Sequence, residues 1–383
     1  MKKISKTLIF FILLIQPVYA DDAEEGLKAL KSGDYQTAFN KWKPLAEKGG
    51  STSQFNLGLM YDRGDGVKQS FTKAVKWYRL SAKQNNVSAQ FNLGLMYYNG
   101  EGLIKNYEKA LKWFLYSAKQ GNVGAQYNLG WMFEKGEGTK PNHKRAIKWY
   151  RLAAKNGNSL APYNLGLIYD KGKWVRRDFD KAFKWYLKAG DLGNAKAQLK
   201  LAQIYELGNE GFEQDIPKAI KWYTSCAMQG NLNAQLRLAK IYEKGSKVQK
   251  NFGYAVKWYK AAAKKGSLKA QSNLGLHYIH GKGVKKNFTK AIYWFQKAAI
   301  RGDAKAQYNL GLLYEKGDGV SKNLRKAVKW YRKAAEQDHP KAQANLGWMY
   351  VNGMGVKEDF DEAAKWYKRS ETQEKSSKYS HFN

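Results

Sequence analysis

Apolar positions recur along most of the chain as short helical stripes that come in pairs. In one well-formed stretch, Ala89, Leu93 and Tyr97 stand at i, i+4 and i+8, which is one face of a helix. Asn99-Gly100-Glu101-Gly102 then predicts a stop, because Gly takes left-handed dihedrals without a Cβ clash. A second stripe of Ala110, Trp113, Phe114 and Ala118 predicts a second helix, closed by Gln120-Gly121-Asn122. Gly94 falls inside the first helix, where a missing Cβ lets the paired helices approach closely.

This two-helix unit repeats. Ala89-Gln90-Phe91-Asn92-Leu93-Gly94 returns as Ala125-Gln126-Tyr127-Asn128-Leu129-Gly130 and again as Ala306-Gln307-Tyr308-Asn309-Leu310-Gly311. With Gln as the marker, the column runs 54, 90, 126, 162 (Pro162), 198, 235, 271, 307 and 343, every step being 36 residues except one of 37. Trp77, Trp113, Trp149, Trp185, Trp222, Trp258, Trp294, Trp330 and Trp366 keep the same beat. Nine copies in phase predict an all-α solenoid of stacked helix-turn-helix units rather than separate globular domains. Burying one Trp is worth roughly 4–6 kcal/mol at about 25 cal/mol per Å², and no single unit covers its own Trp, so neighbours are expected to stack.

The signature Ala-Gln-x-Asn-Leu-Gly-x-x-Tyr, then Gly-x-Gly-Val, then Lys-Ala-x-x-Trp-Tyr and Ala-Ala, resembles the Sel1-like repeat family, a relative of the tetratricopeptide repeat, over residues 51–370. The resemblance implies a right-handed α-solenoid and a non-enzymatic protein-interaction scaffold of bacterial secreted or periplasmic type. Residues 21–50 look like a tetratricopeptide-like capping hairpin, with Leu27, Leu30, Ala38, Trp42, Leu45 and Ala46 as its apolar positions. Residues 371–383 are polar and lack the pattern, which predicts a disordered tail. Copies five and six lose both Asn and Gly at Leu199-Lys200-Leu201-Ala202 and Leu236-Arg237-Leu238-Ala239, predicting a more basic groove there. Trp174 and Lys247 replace the second loop Gly in copies four and six.

The N-terminus changes the expected location. Lys2, Lys3 and Lys6 precede the apolar run 8–15, and Val18-Tyr19-Ala20 supplies small residues before Asp21. That is the pattern of a secretory signal peptide over residues 1–20, cleaved after Ala20, and the protein is expected in the periplasm or beyond it. The single cysteine excludes a disulfide framework or a multi-cysteine metal site. Some cysteine-rich members of the family are linked to penicillin binding; this chain lacks paired cysteines, which leaves penicillin-binding or hydrolase activity a distant alternative. His277 and His280 lie three apart on one helix but lack a third ligand, and read as ordinary repeat positions. Cys226 falls in a column of small residues. The Gly-x-Gly-like loops neither follow strands nor precede Lys-Ser/Thr, so phosphate cradling is not indicated. No catalytic residue, metal or cofactor is expected.

Two sets of residues are candidates for binding. Asn56, Asn92, Asn128, Asn164, Asn273, Asn309 and Asn345 lie inside first helices, where each costs about 0.6 kcal/mol against Ala, so something must offset them. Either they make hydrogen bonds to backbone between repeats, or, as in tetratricopeptide relatives, they face a concave groove and hold a peptide backbone. Beside them run Phe55, Phe91, Tyr127 and Tyr163, then Leu59, Leu95, Trp131 and Leu167, an apolar strip that belongs either to that groove or to packing between repeats. The candidate groove therefore comprises Phe55, Asn56, Leu59, Phe91, Asn92, Leu95, Tyr127, Asn128, Trp131, Tyr163 and Asn164.

The second set is charged. The chain holds 67 Lys and Arg against 32 Asp and Glu, a net charge of +35. Lys73 and Lys76, Lys109 and Lys112, Arg145 and Lys148, and Lys181 and Lys184 each stand three apart on second helices, so stacking aligns them as a basic stripe. The stripe is either a solvated surface or a site for an anionic envelope glycan or membrane surface. Aromatics interleaved for base stacking are missing from that face, so nucleic acid is not the expected partner. The leading expectation is a protein or peptide partner in the groove, and the sequence does not fix the oligomeric state.

Overall fold

A computed structural model describes residues 22–208, 211–245 and 248–379. The expected signal peptide and its Ala20 cleavage point lie outside the described residues, as does Lys247. The described residues are helical, without an extended strand. A first hairpin pairs α1 (22–32) with α2 (Tyr35–Glu47). Nine pairs follow: α3 (Ser51–Arg63) with α4 (Phe71–Lys83), α5 (Val87–Asn99) with α6 (Tyr107–Lys119), α7 (Val123–Lys135) with α8 (His143–Lys155), and α9 (Leu160–Lys171) with α10 (Phe179–Asp191). Then come α11 (Ala195–Leu207) with α12 (Ile216–Met228), and α13 (Leu232–Lys244) with α14 (Phe252–Lys264). The last three are α15 (Leu268–His280) with α16 (Phe288–Ala299), α17 (Ala304–Lys316) with α18 (Leu324–Ala335), and α19 (Pro340–Val351) with α20 (Phe360–Tyr379). Two compact units divide the chain between Asn194 and Ala195, and within each the pairs stack in chain order as an α-solenoid.

Capping chemistry sets the helix ends. Ser70, Asn106, Asn142, Asp178, Asp215, Asn251, Asn287 and Asn323 each accept a backbone N–H three residues on, opening the second helix of their repeats. Most first helices close on a left-handed Gly, as at Gly64, Gly100 and Gly136.

The glycine inside each first helix has a specific neighbour. A Cβ on Gly58, Gly94, Gly130, Gly166, Gly275 or Gly311 would lie 2.4–2.7 Å from the ring of Tyr78, Phe114, Tyr150, Tyr186, Phe295 or Tyr331, respectively. Those six rings are fully buried, each in the second helix of the same repeat. The buried anchor is therefore the aromatic after the periodic Trp. Trp77, Trp113, Trp149 and Trp185 stay half-buried, whereas Trp222, Trp258 and Trp294 are buried. One residue is about 100° of helical rotation, which turns the Trp toward the rim when its neighbour points inward.

Repeats are stapled by the Gln column. Gln54, Gln90 and Gln126 donate Nε2 to the carbonyls of Ala46, Ala82 and Ala118 at the end of the preceding helix, at 3.0, 3.3 and 3.2 Å. Their Oε1 atoms accept from Gln84, Gln120 and Asn156 at 2.9, 2.8 and 2.9 Å. Gln235, Gln271, Gln307 and Gln343 reach back in the same way.

Three local readings need correction. Leu27 is 43% exposed; Gly26 and Ala29 face inward instead, because the Trp42 indole needs the space a larger side chain would take. Residues 371–379, expected to be disordered, continue α20 as helix. Arg237 is not a free groove cation: it binds Glu206 with Nε at 2.7 and 2.8 Å from the two carboxylate oxygens. At the second loop position Trp174 adopts φ +64°, strained for a side chain with a Cβ, and its ring stacks on His143 at 3.9 Å.

Candidate functional site

The seven asparagines divide by what the preceding repeat offers them. In six repeats the buried aromatic is a Tyr whose hydroxyl donates to an acidic residue near the end of its partner helix. The pairs are Tyr78–Asp62 at 3.0 Å, Tyr150–Glu134 and Tyr186–Asp170 at 2.9 Å, Tyr223–Glu206 at 2.8 Å, Tyr259–Glu243 at 2.7 Å, and Tyr331–Glu315. Burial first, and the neighbouring carboxylate with it, raises these phenols above their ordinary range, so they remain donors. The side chains of Asn92, Asn164, Asn273 and Asn345 in the next repeats face the hydroxyls of Tyr78, Tyr150, Tyr259 and Tyr331 and partly offset that rise. Those four are joints between repeats.

The other three face no hydroxyl. Asn56 follows Trp42, Asn128 follows Phe114 and Asn309 follows Phe295 at the same spacing. Asn309 turns to its own helix, donating to Lys305 O at 2.7 Å. Asn128 has no hydrogen-bond partner among the described residues and opens into a depression of about 270 Å³ lined by Leu95, Tyr98, Asn99, Tyr127, Asn128 and Trp131. Leu95, Tyr127, Asn128 and Trp131, all candidates from the sequence, are thus brought together on the first-helix face of α5 and α7.

Tyr98 is the residue the sequence reading missed. It stands where Asp62 and Glu134 stand in adjacent repeats, and where Phe114 replaces Tyr no acid is needed. The same exchange recurs at Phe295, with Ile279 in the acidic column. This pairing of two columns within one chain was a signal available from the sequence. Tyr98 donates to Glu137 Oε2 at 2.9 Å, with the Trp131 side chain beside its hydroxyl. Burial and Glu137 push its phenol up to about 12. Lys135 lies 4.7 Å from the Trp131 ring centroid. The depression therefore presents an apolar wall, an unengaged amide and one cation.

The remaining groove candidates are half-buried along the same face. Phe55, Phe91, Tyr127 and Tyr163 rest against Tyr78, Phe114, Tyr150 and Tyr186 with ring centroids 5.8–6.0 Å apart. Each thus offers one face to the core and keeps an outward edge. Asn164 points its Nδ2 at the Tyr127 hydroxyl, 3.5 Å away. Both Asn92→Ala and Asn128→Ala gain about 0.6 kcal/mol of helix propensity, but Asn92→Ala also takes a polar neighbour from the buried Tyr78 hydroxyl, a loss of about 1 kcal/mol. Urea denaturation is expected to rank Asn128→Ala above Asn92→Ala in stability by about 1 kcal/mol. Equal losses would place Asn128 among the joints.

The eight basic-stripe residues are all exposed. Lys73, Lys109, Arg145 and Lys181 lie over Tyr61, Tyr97, Phe133 and Tyr169 of their partner helices, at 5.1, 5.6, 5.5 and 5.9 Å. Lys181 is paired with Asp178 at 2.7 Å. His277 is buried, its Nδ1 2.7 Å from Lys282 O and its Nε2 3.3 Å from Glu243 Oε1, whose carboxyl it holds below the ordinary range. Cys226 is buried with its Sγ 3.2 Å from Ala195 O, as Ser81 and Ser117 bond Ser51 O and Val87 O, and burial pushes its thiol up to about 11. Among the described residues no cluster of three or more His, Cys, Asp or Glu has metal-binding geometry.

The family model described as Sel1 repeat matches nine consecutive segments: 51–86, 87–122, 123–158, 159–194, 195–231, 232–267, 268–303, 304–339 and 340–373. Among solved structures, the chain is similar to a protective antigen present in uropathogenic Escherichia coli strains with an SLR fold, at 35% identity and a TM-score of 0.60, covering 94% of this chain and 81% of that one. A Sel1 repeat protein from Oxalobacter formigenes is 36% identical with a TM-score of 0.57, covering 63% of this chain and 99% of its own. A sel1-like repeat-containing protein of Acanthamoeba polyphaga mimivirus is 50% identical over 44 residues, 12% of this chain. The chain spans only 8% and 10% of the lengths of the two curated relatives it matches.

Proposed function

Since the chain belongs to the Sel1 repeat family, whose members are generally non-enzymatic scaffolds that bind protein partners, we propose that it holds a protein partner on the first-helix face of α5 and α7. One observation carries the reading: Asn128 keeps an unengaged amide inside an apolar depression walled by Leu95, Tyr127 and Trp131. A peptide backbone laid there would find a donor and acceptor in the Asn128 amide, and its side chains would bury against Trp131 and Leu95. The neighbouring Asn92 and Asn164 instead face the hydroxyls of Tyr78 and Tyr150. The basic leader and apolar run ahead of Ala20 support an exported protein with its partner in the envelope or outside the cell. That the Escherichia coli relative is a protective antigen is in keeping with this.

The test is affinity capture from an envelope extract with the intact protein beside an Asn128→Ala/Trp131→Ala variant of equal thermal midpoint. A protein retained by the first and lost by the second is the expected result. An identical retained set would remove the depression as the binding site.

A further inference from the structure

The second helices of the first three repeats carry a surface that the first-helix face does not explain. Three residues after the periodic Trp stand Leu80, Tyr116 and Leu152, exposed at 39%, 41% and 37%. Four of the other six repeats put a cation there and fold it over the Trp ring, Lys188 on Trp185 at 5.8 Å, Lys297 on Trp294 at 5.7 Å, Lys333 on Trp330 at 5.1 Å and Arg369 on Trp366 at 4.9 Å, and the remaining two carry the small Ser225 and Ala261. Solubility alone would favour that arrangement in every repeat. In the third repeat no cation among the described residues folds over the half-buried Trp149, and a furrow of about 640 Å³ opens along α6 and α8. Its floor is Leu115, Phe133, Trp149 and Leu152. Its rim is Arg145, Lys148, Arg151 and Lys155.

The rim is cationic without compensation. The α8 sequence, HKRAIKWYRLAAK, contains no acidic residue, and among the described residues none of the four rim cations makes an ion pair. Arg151 donates to the Tyr169 hydroxyl at 2.7 Å, and Arg145 lies over the Phe133 ring at 5.5 Å, so both guanidinium groups are held in place without a carboxylate partner. A second depression of about 450 Å³, lined by Lys144, Arg145, Ile147, Lys148 and Arg151, extends the same charge along α8.

From this apolar floor inside an unneutralised cationic rim we infer that the furrow of α6 and α8 docks an acidic peptide segment of a protein partner, with a bulky apolar side chain seated on Trp149 and Leu152 and carboxylates on either side. Charge complementarity selects an acidic occupant, and arginines held in position suit carboxylates. The concavity selects a side chain that inserts, which neither a flat bilayer nor a polyhydroxylated glycan supplies. Apart from the buried Phe133 of α7 this site is built on second helices, and it shares no lining residue with the Asn128 depression, so it stands or falls separately.

The probe is a fluorescein-labelled synthetic twelve-residue peptide with leucines four apart in a glutamate background, measured by anisotropy at physiological salt against the full chain. Leu152→Asp and the separate Lys148→Glu/Lys155→Glu variant are each expected to weaken binding about tenfold or more, with circular dichroism unchanged. Lys329→Glu/Lys333→Glu, the same charge change in the second unit, is expected to alter it less than twofold. Replacing the peptide leucines by serine should abolish the dependence on Leu152. Equal weakening by both lysine pairs, or equal binding of the serine peptide, would reduce the effect to general electrostatics and overturn the inference. So would heparin or phosphatidylglycerol vesicles showing the Leu152 dependence while the peptide does not, which would give the furrow to glycan or lipid.

Discussion

Gly130→Val is expected to destabilise the third repeat by about 3 kcal/mol, at the upper end of what overpacking a core costs. A Cβ there meets the Tyr150 ring at 2.5 and 2.6 Å. That ring cannot swing aside: it is fully buried and its hydroxyl donates to Glu134 at 2.9 Å. The remaining response is to push α7 and α8 apart, which breaks the close approach that the repeat is built on. Ala202 and Ala239 occupy this position in the fifth and sixth repeats and are fully buried, so Gly130→Ala should cost less than the valine change. Urea denaturation followed by far-UV circular dichroism measures both. A Gly130→Val curve within about 0.5 kcal/mol of the parent, the range of ordinary surface changes, would contradict this packing account.

Trp42→Ala should have an effect of similar size at the other end of the same logic, about 3–5 kcal/mol for truncating a buried aromatic. Trp42 is 2% exposed, its Nε1 donates to Ala23 O at 3.2 Å, and it stands in the cluster that covers Leu57 and Met60 of the first repeat. The hairpin of α1 and α2 has no other large buried aromatic, so its docking should fail as a unit and leave the apolar end of the stack open. Limited proteolysis with mass spectrometry is expected to show new cleavage between residues 22 and 48, with α3 onward still protected. An unchanged cleavage pattern would mean that the hairpin is held by something other than Trp42.

Much of this architecture was legible because a repeat states its own alignment. The period fixed the helix pairs, and Gly94 pointed correctly to close helix approach. The Gln column was found as a marker, but its work, a bond from Gln90 to Ala82 O in the preceding repeat, exists only once the helices are stacked. The Trp column drew attention as the rarer residue, yet Phe114 and Tyr150 beside it carry the burial, a difference set by about 100° of helix rotation. The seven asparagines looked alike in sequence. What separates Asn128 from Asn92 is a hydroxyl missing fourteen residues earlier, at Phe114 rather than at a Tyr78, across a repeat boundary that a one-dimensional pattern does not weigh. Charge was the least legible property: Arg237 looked like part of a basic groove and is bound to Glu206, while the cations of α8 remain unpaired.

Hydrogen exchange on the intact protein, alone and with its captured partner, tests the central claim most directly, because it reports which helices the partner covers. Backbone amides within a stable helix already exchange slowly, so the informative signal is added protection at the helix ends and adjoining turns of the contacted elements. The account predicts added protection in Val87–Asn99 and Val123–Lys135, around Asn128 and Trp131, and its loss with Asn128→Ala/Trp131→Ala. Protection that spares both of these helices, or that persists unchanged in the variant, would contradict it.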